Sequence, residues 1–110
     1  MADPRIKTLK IKTGVVKRLT KEKLMYIKET EQQREKVEKL KASGIDESNL
    51  KKQEEVLRES QMMIPDTQRR LKAAFQDLKS VIADCEELSS EEDYLNAQKF
   101  LAEAEKEISQ

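Results

Sequence analysis

Leu50, Leu57, Ile64, Leu71, Leu78 and Cys85 recur at every seventh residue without a miss. Ala74, Val81 and Leu88 add the second position of the same repeat, three residues after Leu71, Leu78 and Cys85, and Phe75 and Ile82 widen the stripe. An apolar period of seven held this long is the pattern of an α-helix packed lengthwise on another helix. Pro65 falls inside the run. In a helix interior its ring removes a backbone donor and clashes with the preceding turn, at a cost of roughly 3 kcal/mol. The seven-residue phase passes through Pro65 unshifted, whereas a loop would disturb it. The expectation is one helix kinked at Pro65; a break with a restart at Asp66 and Thr67 is the other outcome.

The partner helix lies upstream. Leu9, Val16, Leu19, Tyr26, Val37 and Leu40 hold heptad positions over residues 5–43, interrupted by Lys12, Lys23, Thr30 and Gln33. A short strand at 6–16 is conceivable from loose alternation, but nothing else in the chain offers it a partner. Ala-Ser-Gly at 42–44 reads as a helix stop, with Gly44 in the left-handed cap and Asp46 or Ser48 capping the next helix. A third helix follows a capping box, Ser89 with Glu92 or Ser90 with Asp93. It carries Tyr94, Ala97, Leu101, Ala104 and Ile108 at spacings of three and four. Such short connections force antiparallel neighbours. The expected fold is all-α: a single domain over residues 1–110, an up-down-up three-helix bundle, rod-like, with coiled-coil-like packing. Its helices run over about 5–43, 46–86 and 90–109, the third being shorter.

Hydrophobic residues are 36% of the chain and charged residues 40%, too little apolar material for a deep core but enough for stripes between long helices. Formal net charge is zero, so no global attraction to nucleic acid or an acidic membrane follows. Residues 1–24 nevertheless hold eight bases against two acids, and residues 84–110 nine acids against two bases. The third helix is expected to run parallel to the first and neutralise its basic half. Histidine is absent, removing the usual general base and metal ligand. Cys85, the one cysteine, reads as a small seam residue. No Gly-rich phosphate loop or pocketed carboxylate pair is present, so neither enzyme activity nor a cofactor is expected. With no apolar run of membrane length and no signal segment, the expected place is the cytosol.

Two surface features point to a protein partner. Lys17, Arg18 and Lys21 belong to a basic stretch that either pairs with the third helix or docks an acidic partner. Folding the hairpin about Gly44 sets Met25-Tyr26-Ile27 opposite Met62-Met63-Ile64. Three consecutive helical residues span too wide an arc to face one neighbour, so some of Met25, Ile27, Met62 and Met63 are expected at the surface beside Pro65. Methionines suit adaptable binding surfaces. The residues leave open a structural coiled-coil subunit of a protein assembly as the alternative to a protein that binds a separate partner.

LKIKTGVVKRLTKE at 9–22, LKKQEEVLRES at 50–60, MMIPD at 62–66 and QRRLKAAFQDL at 68–78 resemble tubulin-binding cofactor A, the tubulin-specific chaperone A family. MMIPD inside a heptad run is the most specific of these. Where family sequences often have Cys after Pro-Asp, this chain has Thr67. The resemblance implies a cytosolic, cytoskeleton-associated three-helix protein, monomer or homodimer, that captures β-tubulin folding intermediates and passes them to other tubulin-folding cofactors. It implies no nucleotide or metal, and no nucleic-acid or membrane partner.

Overall fold

The computed structural model describes residues 3–109. Helix α1 spans Pro4–Ser43, α2 Glu47–Ala83 and α3 Glu92–Ile108, with a 3₁₀ turn at Glu86–Leu88. No strand occurs among the described residues, so residues 6–16 are helix. Helix α1 starts at Asp3, whose Oδ1 accepts the Arg5 backbone N–H at 2.9 Å, with Pro4 at the first helical position, where its missing donor costs nothing. It ends at Gly44, φ 75°. The Gly44 and Ile45 amides donate back to the Lys41 and Leu40 carbonyls, a Schellman closure. Asp46 caps α2 by accepting the Asn49 amide at 3.2 Å.

Helix α2 is unbroken at Pro65. The ring denies a donor to the Gln61 carbonyl, but Gln61 and Pro65 are both exposed, so water is available to that oxygen. Helix α2 ends at Ala83 rather than near residue 86, because the chain tightens there: the Cys85 amide donates to the Ile82 carbonyl and the Leu88 amide to Cys85. The capping box expected at Ser89 or Ser90 does not form. Glu91 is the N-cap of α3, with no side-chain cap. The 3₁₀ turn has already set the entry, the Glu91 amide donating to the Leu88 carbonyl at 2.9 Å.

The chain gathers into two compact units. One contains residues up to Lys21 and from Gln68 onward, and so is built from residues 4–21 of α1, 68–83 of α2, and all of α3. Leu9, Val16, Leu71, Leu78 and Cys85 are almost fully buried in it, with Leu19, Phe75, Ile82, Tyr94, Ala97 and Ala104 around them. Each large side chain so buried contributes about 1.5–3 kcal/mol. Ala97 and Ala104, seven apart, let α3 approach closely. Contacts Lys10–Asp93 and Lys17–Phe100 advance in the same direction along both helices, so α3 is parallel to α1. The Gln68 amide donates to the Ile108 carbonyl at 2.9 Å, as α2 and α3 run antiparallel.

The other unit is Glu22–Thr67, a hairpin of two helices joined at Gly44–Asp46. Its α1 seam is polar for two heptads. Lys23 and Thr30 are 3% and 4% exposed, continuing the spacing of buried Leu9, Val16 and Val37. Gln33 reaches across, its side-chain amide donating at 3.0 Å to both oxygens of Gln53.

Candidate functional site

The charged and apolar candidates fall in different units. Lys17, Arg18 and Lys21 are exposed on α1 in the three-helix unit. The Lys17 ammonium lies 5.0 Å from the centre of the Phe100 ring of α3, within cation–π range. Basic side chains of α1 find acidic partners on more than one element. Arg5 pairs with Glu87 of the 3₁₀ turn and Lys10 with Asp93 at 3.8 Å, while Lys12 turns instead to Asp77 of α2 at 2.7 Å. These are exposed pairs of small energetic value.

At the α1 entrance Arg5 also binds Asp3 at 2.7 Å. The Arg5 side chain and its backbone amide together hold the Asp3 carboxyl at a pKa of about 2. The same guanidinium lowers the Glu87 pKa.

The apolar candidates lie in the two-helix unit. Met62 is 70% exposed, and Met25 and Ile27 are exposed as well; Met63 is half-buried. Of the seven large hydrophobic residues exposed among the described residues, five are in this unit: Leu24, Met25, Ile27, Val56 and Met62. The cause is local. Here two helices must bury what three bury in the other unit, and positions flanking a two-helix seam have no neighbour.

Met62 and Met63 are brought together with Tyr26, Val56, Glu29, Glu59 and Ser60 around an open groove of about 460 Å³. Met25 and Ile27 do not line it. Val56 and the two glutamates were not singled out from the sequence. Val56 was findable, since it precedes Met63 by one heptad, just as Leu57 precedes Ile64. The glutamates carry no periodic signal of their own. A groove this open, lined by thioethers, a phenol ring and an isopropyl group, offers apolar contact to another macromolecule.

Residues 4–101 match the family model for tubulin binding cofactor A. The chain is 55% identical to the tubulin-specific chaperone A of Gallus gallus over 101 residues, 92% of this chain and 94% of that protein. Its fold is similar to the crystal structure of tubulin folding cofactor A from Arabidopsis thaliana, with a TM-score of 0.85 and 44% identity over 94% of this chain and 97% of the other. Human tubulin chaperone cofactor A aligns with a TM-score of 0.80 and 48% identity over 93% of this chain and 99% of the human one. Three helices in parallel and antiparallel order, a seam in sevens and relatives matched nearly end to end place this chain in the tubulin binding cofactor A family.

Proposed function

We propose that this protein is a tubulin-folding chaperone that holds β-tubulin folding intermediates on its helix faces, without catalysis and without a bound cofactor. Family membership supports tubulin as the client. The observation that carries the mode of binding is the apolar surface of the two-helix unit, where Leu24, Met25, Ile27, Val56 and Met62 stay exposed. Exposed apolar side chains concentrated on one part of a small protein mark a protein-binding surface. Met62 and Met63 supply short-range contact, and Lys17, Arg18 and Lys21 steer an acidic client toward the first helix. Release goes to other tubulin-folding cofactors in the cytosol.

The test is retention of β-tubulin over α-tubulin from a chaperonin-coupled translation reaction by the purified protein. Wild type should retain β-tubulin selectively. Met62→Asp combined with Met63→Asp should weaken retention by about tenfold or more, the scale of losing an interface anchor, while far-ultraviolet circular dichroism stays helical. Equal retention of both tubulins, or undiminished retention by a folded double variant, would overturn the reading. Reversing Lys17, Arg18 and Lys21 should slow association and flatten its salt dependence.

A further inference from the structure

The groove of the two-helix unit is lined by apolar and acidic side chains. Tyr26, Val56, Met62 and Met63 line it together with Ser60, Glu29 and Glu59, and no basic side chain lines it. Among the described residues neither carboxylate has an ion-pair partner. Spacing explains this. Only side chains three or four apart are neighbours on a helix surface. Those flanking Glu29 are Met25, Tyr26, Gln32 and Gln33, and those flanking Glu59 are Glu55, Val56, Met62 and Met63. Neither glutamate can be neutralised by its own helix.

Val56 and Met63 are two turns apart, about 10 Å along α2. An adjoining pocket shares Glu29, Val56 and Ser60 and is lined also by Gln32, Gln33 and Lys36, so the surroundings turn polar at that end. A two-turn apolar strip between helices, with a carboxylate from each helix beside it, is complementary to one kind of occupant. That occupant is an amphipathic helix with apolar residues at i, i+3 or i+4, and i+7, flanked by lysine or arginine.

We infer that this groove receives a basic amphipathic helical segment of the client. The inference deepens the proposed function and rests on its placing Met62 and Met63 against the client. It adds the chemistry of the segment they receive. An acidic client as a whole is drawn in by the basic stretch of α1; the groove reads the local charge of one segment.

The experiment follows the methyl resonances of Met62 and Met63 by NMR during titration with a synthetic amphipathic peptide of about five turns. The peptide carries leucine at i, i+4 and i+7 and flanking lysines. Its isomer has glutamate for every lysine. Both methyl signals should shift with the basic peptide, which should bind about tenfold or more tighter than the acidic one, a preference that weakens with added salt. Glu29→Lys with Glu59→Lys should reverse the preference, and Glu29→Gln with Glu59→Gln should abolish it, each with unchanged helicity. Equal affinity for the two peptides, or a preference that survives charge reversal, would overturn the inference. So would methyl shifts that grow with protein concentration alone, which would assign the groove to a second copy. Loss of peptide preference with β-tubulin retention intact would sink the groove assignment and leave the client reading standing. Preference for the basic peptide with no tubulin retained would support the groove and sink the client reading.

Discussion

Asp3 and Arg5 show how much rests on single side chains where α1 begins. Asp3 caps the helix through the Arg5 amide and takes the Arg5 guanidinium in the same carboxylate, while Arg5 also reaches Glu87. Asp3 therefore has a pKa lowered from 3.8 to about 2. A carboxyl with a depressed folded-state pKa contributes stability that is complete above its unfolded pKa and is lost as pH falls through the folded one. The Asp3 contribution should be constant above pH 4 and disappear between about 4 and 2. Thermal melts of wild type and Asp3→Asn over pH 2–6 check this. The two should differ most at neutral pH and converge near pH 2. Because both carboxylates face solvent, the difference should shrink with salt.

At the scale of the element, the helix boundaries separate what residues announce from what backbone geometry settles. The seam of sevens through Leu71, Leu78 and Cys85 was legible, as were the Gly44 stop and the Asp46 cap, because each has a side-chain or glycine signature. The start of α3 was not. Ser89 and Ser90 carry the right chemistry, but the 3₁₀ turn at Glu86–Leu88 moves the cap to Glu91. Asp46→Ala should lower the urea midpoint measurably, because it removes the side-chain cap of α2. Ser89→Ala and Ser90→Ala should each stay within about 0.5 kcal/mol of wild type. Urea denaturation of the three variants separates these outcomes. Helix α1 teaches a related lesson. Lys23 and Thr30 read as gaps in its seam, yet both are buried, because heptad geometry decides which positions face inward whatever residues occupy them. The groove was half legible for the same reason. The methionine pair stood out by composition, whereas Glu29 and Glu59 matter only through where the hairpin puts them.

Taken whole, the molecule divides its apolar residues unequally. The unit holding α3 owns the continuous buried cluster, and the Glu22–Thr67 unit has a seam with lysine and threonine at inward positions and apolar side chains outside. Local opening follows buried apolar contact. Amide hydrogen exchange should therefore be slower over residues 71–82 than over 50–60, although both lie in the same helix. Uniform protection along α2 would contradict this. Binding of a client to the Met62–Met63 surface should then raise protection mainly in the less protected stretch.

The division also bears on how the chain is made. The Glu22–Thr67 hairpin joins neighbours in sequence, and such local pairings close early and quickly. The buried cluster needs two helices far apart in sequence: Leu9 and Val16 from α1, and Tyr94, Ala97 and Ala104 from α3. During synthesis the residues that will expose methionine can pair while the cluster still awaits α3. The helix that seals the core leaves the ribosome after the hairpin, so a product truncated before α3 would retain the hairpin's sequence without the means to complete the cluster.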